Sequence, residues 1–162
     1  MSDPLAYFLT WTTSGTWLHG DERGSWDHVR NRPGEREVQP DAGLNRYRRF
    51  QLGDKVFVLD SPARREAVRG AIERTCVLRD WRIWALNVRT NHVHLVVTAD
   101  RRPEDVLSSL KAWATKALVA SGLAAPGERI WTRHGSTRYL WSEADVAAAG
   151  TYVGEGQGSN LD

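Results

Sequence analysis

His92 and His94 are the residues whose type and spacing most directly suggest chemistry. They belong to the segment NHVHLVVT, in which His92 and His94 alternate with Val93 and Leu95. A period of two is typical of a β-strand and directs alternate side chains to opposite faces of a sheet. The two imidazoles are therefore expected on one face, close enough to bind one divalent metal ion. The alternative is a pair of strand histidines that binds no metal.

A hairpin is predicted to position this histidine pair. Its strands span residues 81–89 and 92–99, and the turn between them is the dipeptide Thr90-Asn91. This turn is too short for a crossover connection, so the two strands must be antiparallel.

Further strands are predicted on both sides of this hairpin. One spans residues 7–13, and a short strand-like run spans residues 55–59. The segment 130–141 is predicted to form a second hairpin that turns at Gly135-Ser136. In that hairpin Arg133 would lie opposite Arg138.

Three helices complete the expected elements. The first begins at Ser61-Pro62, an N-cap followed by proline, and continues to about Arg79. The second begins at Pro103, and the third spans about Ala144 to Glu155. The order of strands and helices predicts an α+β fold: a ferredoxin-like sandwich, with an antiparallel sheet and helices packed on one face.

The composition indicates one domain and restricts the class of protein. With 162 residues, 41% of them hydrophobic and 26% charged, the chain suits a single domain over 1–162, with a long surface excursion at about 20–54. One cysteine excludes an internal disulfide framework. No signal peptide or transmembrane segment is evident, so we expect a soluble, cytoplasmic protein with no membrane partner. A net charge of +2 is compatible with nucleic-acid binding.

Four motifs in order resemble one known family. In chain order they are FLTWTTSGTWLHGD near the N-terminus, the histidine segment NHVHLVV, SLKAWATKAL after it, and GSTRYLWSEADVAAAGTYVGEGQG towards the C-terminus. Together they resemble the HUH-type single-tyrosine transposases, and most of all the branch of REP-associated tyrosine transposases. The resemblance covers nearly the whole chain and is least secure over 20–54.

The resemblance implies an activity and its main residues. Mg²⁺ or Mn²⁺ would be bound by His92 and His94, and Tyr152 on the last helix would be the nucleophile. The substrate would be single-stranded or hairpin DNA, cleaved and rejoined through a covalent 5′-phosphotyrosine. The alternative role for Tyr152 is to pack the last helix on the sheet, and Tyr139 is the other candidate nucleophile. The protein would act as a monomer or a homodimer.

The third metal ligand is where this sequence departs from the family pattern. In the family it is a polar residue one helical turn after the tyrosine, but the residue four positions after Tyr152 is Gly156. Gln157 is the favoured substitute if the helix ends at Gly156, and Glu155 is its rival because it shares the helical face of Tyr152.

Other polar residues are candidates for supporting roles. Lys111, Lys116, Arg133 and Arg138 are candidates for contacts with DNA phosphates. Possible neighbours of the metal ligands are His19, Asn91 and His134. A second hypothesis is a DNA-binding protein of the same fold that does not cleave its substrate. A third, an unrelated metal-dependent hydrolase, is disfavoured because the chain is too short for a barrel of the amidohydrolase kind.

Overall fold

Four antiparallel strands form one sheet at the centre of the molecule. The computed structural model describes residues 3–15 and 56–155, and for Glu155 its backbone only. The strands, in the spatial order β2-β3-β1-β4, are β1 (Ala6–Thr12), β2 (Arg82–Val88), β3 (His92–Thr98) and β4 (Ser136–Leu140). The helices are α1 (Pro62–Arg79), α2 (Pro103–Ala120) and α3 (Glu143–Glu155). Up to β4, this chain order and strand order are those of a ferredoxin-like fold, so the predicted α+β class is confirmed.

The helices begin at the residues that their sequence signals indicate. Ser61 caps α1 by accepting a hydrogen bond at Oγ from the backbone N–H of Arg64, at 3.1 Å. Pro103 occupies the first turn of α2, together with two acidic side chains. Ser142 precedes α3, and its Oγ accepts from the backbone N–H of Asp145 at 3.1 Å.

The helices cover both faces of the sheet. As expected, α1 and α2 share one face, where they pack on Leu9, Trp11 and Leu95. The expectation of helices on one face fails for α3, which covers the opposite face. Its buried side chains form a smaller cluster with the strands, made of Ala6, Val96, Leu140, Val146, Ala149 and Val153. The physical reason is that β3 is a central strand with apolar residues on both of its faces.

The segment 130–141 is not the predicted hairpin. Trp131 forms a β-bridge with Thr13, the residue after β1, and β4 pairs with β1 itself. Both halves of the segment 130–141 therefore run along the same strand in the same direction. Residues 133–135 form a bulge between the halves, and Arg133 does not lie opposite Arg138; the β1 partner of Arg138 is Phe8.

Two other predictions concern the strand-like run at 55–59 and the excursion at 20–54. Residues 56–59 form no strand, although the backbone N–H of Phe57 donates to the carbonyl of Ser14 at 2.9 Å. The excursion at 20–54 lies outside the described residues. No helix in the described part of the chain is both long enough and apolar enough to span a bilayer.

Candidate active site

His92 and His94 lie side by side on the sheet face that α3 covers, which we call the site face. Their ring centroids are 4.6 Å apart, and the ring planes are at 73°. Both residues are buried, with 4% and 7% of their surface exposed. The alternation along β3 thus places both imidazoles on the face opposite to α1 and α2.

Hydrogen bonds fix the Nδ1 atom of each imidazole. Nδ1 of His92 lies 3.0 Å from Oδ1 of Asn91. Because an amide oxygen can only accept, Nδ1 donates and the lone pair of the neutral ring resides on Nε2. Nδ1 of His94 lies 2.9 Å from Oγ1 of Thr10, a hydroxyl that can donate or accept. Such outer hydrogen bonds orient imidazoles that bind metals.

A complete set of metal ligands is not found among the described residues. Among the side chains that the structure describes, no group of three His, Cys, Asp or Glu could hold a metal ion. Of the candidates for the third ligand, Gln157 lies outside the described residues, as does the side chain of Glu155. The metal site therefore stays a prediction with two nitrogen donors in suitable positions.

Tyr152 lies beside the histidine pair. Its ring centroid is 5.8 Å from that of His94 and 5.9 Å from that of Phe8. Phe8 also contacts His94, at 5.6 Å between centroids. The side chain of Tyr152 remains partly open to solvent, with 38% of its surface exposed. Its position leaves the ring accessible to a ligand at the edge of the site face.

Asn87 joins the site although no sequence motif singles it out. It is the residue of β2 directly opposite His94, and it is buried. Its Nδ2 donates to the backbone carbonyl of Val153 at 3.0 Å, so β2 is bonded to the helix that carries Tyr152. The available signal was a single polar residue within the otherwise apolar run IWALNV.

Polar residues form a row across all four strands at the level of His94. Strand register aligns Ser136, Thr10, His94 and Asn87 in that order. Arg138 lies in the next row, opposite Phe8. Its Nε is buried and has no hydrogen-bond partner among the described residues. A buried donor without an acceptor is unfavourable, and an anionic ligand at this position would supply one.

The two candidate lysines lie on α2, which packs on the other face of the sheet. Nζ of Lys111 donates to the carbonyl oxygens of Thr132 (3.0 Å) and His134, and burial lowers the pKa of Lys111 to about 8. Nζ of Lys116 lies 4.5 Å from the centroid of the Trp113 ring. Neither lysine is brought to the histidine pair, and their role in DNA binding stays a prediction.

Of the remaining candidates, two lie in the bulge, one lies on the sheet face opposite to the histidines, and one is not described. Arg133 and His134 are exposed in the bulge, where His134 has a positive φ of 68°. Tyr139 packs on Tyr7 and Trp141, with centroids 5.6 and 5.7 Å apart, on the face opposite to the histidines. His19 lies outside the described residues.

Two solved structures have the same fold. One is a REP-associated tyrosine transposase bound to a REP hairpin: identity is 16%, the TM-score is 0.50, and the match covers 94% of this chain and 66% of that one. The chain thus spans just under two thirds of its length. The other, a Deinococcus radiodurans R1 protein provisionally named a transposase, has 16% identity, a TM-score of 0.50, and coverage of 95% and 92%. No family profile and no curated protein matches the sequence.

Proposed function

We propose that the protein is a metal-dependent endonuclease and transposase of single-stranded DNA that works through a covalent 5′-phosphotyrosine, beside DNA hairpins. The observation that carries this proposal is the position of Tyr152, whose ring lies 5.8 Å from the ring of His94. A tyrosine and two histidines on one sheet face combine a nucleophile with imidazole donors. The fold shared with a transposase that binds a hairpin supports the same activity.

The reaction is a transesterification at phosphorus. The phenolic oxygen of Tyr152 attacks the scissile phosphate and gives up its proton to solvent. The bond between phosphorus and the 3′ oxygen breaks, and that oxygen takes up a proton to become a 3′-hydroxyl. The 5′ end remains bonded to Tyr152 as a phosphodiester, so the reverse reaction rejoins strands without ATP.

His92 and His94 would hold the divalent ion, Mg²⁺ or Mn²⁺, that the family resemblance implies. The bound ion would neutralise charge on the phosphate that Tyr152 attacks. Asn91 and Thr10 hold the two rings by their Nδ1 atoms. Gln157, with Glu155 as its rival, is proposed as a further ligand.

The chain's own cations are proposed to bind the DNA backbone. Arg138 is the candidate closest to the reacting groups, since its strand partner Phe8 contacts both His94 and Tyr152. A guanidinium suits a phosphate because its N–H groups match two oxygens at once. Lys116 and Arg133 would bind more distant phosphates, and Lys111 would support the bulge that carries Arg133.

A DNA-binding protein without cleavage activity is the second candidate function. It is favoured by the sequence at the end of the last helix, where Gly156 stands at the position that in the family pattern has a polar residue one turn after Tyr152. This candidate predicts that hairpin DNA binds and that no covalent product forms.

The deciding experiment is a denaturing gel of the protein incubated with Mn²⁺ and labelled single-stranded DNA that contains a hairpin. We expect a covalent adduct that requires the metal and disappears in Tyr152→Phe. Tyr139→Phe is the matched control and should still form the adduct, because Tyr139 lies on the other face. An adduct that persists in Tyr152→Phe would disprove the assigned nucleophile. Hairpin binding with no adduct in any metal would establish the second candidate.

A further inference from the structure

The end of α3 is held to the sheet by a hydrogen bond between distant parts of the chain. Nδ2 of Asn87 donates to the carbonyl oxygen of Val153 at 3.0 Å, and both residues are buried. Val153 follows Tyr152 directly in the last described turn of α3. Carbonyl groups in the last turn of a helix take their partners outside the helix. Asn87 supplies such a partner from β2.

This bond lies within the candidate active site. Asn87 is the strand neighbour of His94, so one residue contacts the strand of the histidine pair and the helix of Tyr152. The histidine and tyrosine rings are 5.8 Å apart. A change in the position of the last turn would therefore alter the distance between the nucleophile and the imidazoles.

The last turn of α3 needs such a restraint because its sequence favours helix weakly. Gly150 and Gly154 flank Tyr152, two residues away on either side. Glycine is destabilising inside a helix because its backbone loses the most conformational freedom on folding. The apolar contacts of this end come from Val153 and Ala149, which pack with Val96. Apolar contacts are not directional, whereas a hydrogen bond to a backbone atom also restricts rotation and sliding of the helix.

We propose that Asn87 is a positioning residue, which holds Tyr152 at the correct distance from His94 by binding the carbonyl of Val153. The inference rests on the proposed function, since it assigns Tyr152 as the nucleophile. Asn87 acts through the backbone of α3 and does not itself touch the reacting phosphate. Misplacement of a reacting group by about 1 Å lowers a rate by about 100-fold. DNA affinity depends on the cations, so it should not follow the rate.

The test uses two variants of Asn87 and a control. Asn87→Leu has nearly the same size and no hydrogen-bond donor, and Asn87→Ala is the truncated form. Thr75→Val is the control: Thr75 is buried in α1 on the other face, and its Oγ1 donates to the carbonyl of Ala71 at 2.8 Å. It too loses one buried side-chain hydrogen bond, so it measures the effect of general destabilisation.

Three quantities are measured on the full chain: the rate of adduct formation at saturating hairpin DNA with Mn²⁺, the Kd for the same DNA, and amide hydrogen exchange over 143–155. For both Asn87 variants we expect the rate to fall by about 10- to 100-fold with Kd unchanged. Exchange in α3 should become faster while exchange in α1 stays as in the wild type. Thr75→Val should keep the wild-type rate.

The outcomes separate this inference from the proposed function. A wild-type rate in Asn87→Leu and Asn87→Ala would overturn the positioning role, and so would an equal loss of rate in Thr75→Val. If the wild type forms no adduct at all, the proposed function fails, and the role of Asn87 in positioning a nucleophile fails with it. Hydrogen exchange over 143–155 then still decides whether Asn87 restrains α3.

Discussion

Oγ1 of Thr10 lies 2.9 Å from Nδ1 of His94, so a hydroxyl on β1 is bonded to an imidazole on β3. Thr10 and His94 are direct partners in the strand pairing, and β1 is the central strand next to β3. The orientation of this imidazole is therefore determined by the pairing of two central strands.

Loss of this hydroxyl should weaken metal binding. Thr10→Val keeps the size and branching of the side chain but leaves Nδ1 of His94 without that partner. We expect the affinity for Mn²⁺ to fall by about 10- to 100-fold, the usual effect of removing an outer hydrogen bond from a metal-binding histidine. Isothermal titration with Mn²⁺ measures it, with Thr75→Val as the control. Equal affinities for Thr10→Val and the wild type would contradict the role of Thr10 in orienting a metal-binding His94.

Arg138 should contribute to DNA affinity in a manner that depends on salt. Replacing it in Arg138→Gln removes one cation that we propose binds a phosphate. The slope of log K against log salt concentration is negative, and its magnitude should then decrease by about 1. Fluorescence anisotropy with hairpin DNA at several salt concentrations measures this slope. Arg74→Gln, an exposed site on α1, should leave the slope unchanged, and an unchanged slope in Arg138→Gln would exclude the phosphate contact.

Lys111 should make folding stability depend on pH. Burial lowers its pKa from 10.5 to about 8 in the folded protein, so between these values the unfolded chain binds more protons than the folded one. The contribution of Lys111 to the free energy of unfolding must therefore rise with pH across this window. Urea unfolding at pH 7.5 to 10.5 should show that the free energy of unfolding of the wild type rises relative to that of Lys111→Met. Parallel profiles for the two proteins would mean that the pKa of Lys111 is not lowered.

Gly135 and Gly150 should respond to alanine in opposite ways. A Cβ at Gly135 would lie 2.7 Å from the carbonyl oxygen of Thr10, so Gly135→Ala must displace the bulge and should cost about 1–3 kcal/mol. A Cβ at Gly150 would meet nothing within 4 Å, so Gly150→Ala should stabilise α3 by about 0.5–1 kcal/mol. Thermal unfolding measures the first, and hydrogen exchange in α3 measures the second. A stable Gly135→Ala would show that the bulge adapts at little cost.

The parts of the fold that could be predicted are those that depend on nearby residues. The Ser61-Pro62 start of α1 and the short turn between β2 and β3 are local signals, and both are confirmed. The bulged segment 130–141 could not be predicted, because its partner is β1, more than one hundred residues earlier. A turn sequence such as Gly135-Ser136 fits a hairpin equally well until that partner is known.

In the candidate site, too, the features set by nearby residues could be predicted and those set by distant residues could not. His92 and His94 are one residue apart, so alternation alone places them on one face. The neighbourhood of Tyr152 depended on a family resemblance, since the face that α3 covers is not encoded locally. Asn87 was missed because its partner is a backbone carbonyl 66 residues away, and no side-chain pattern marks such a partner. The catalytic role of Tyr152 and the metal remain predictions.

Because the two apolar clusters differ in size, the stability of the whole domain and the position of Tyr152 depend on different residues. On the α1 and α2 face twenty buried residues pack together, whereas on the α3 face only six do so, counted over the described residues. Opening of α3 thus exposes far less apolar surface than global unfolding and requires less free energy. Damage to the larger cluster should melt the whole domain. Damage to the smaller one should leave the sheet, α1 and α2 folded, while α3 opens and Tyr152 moves away from His94.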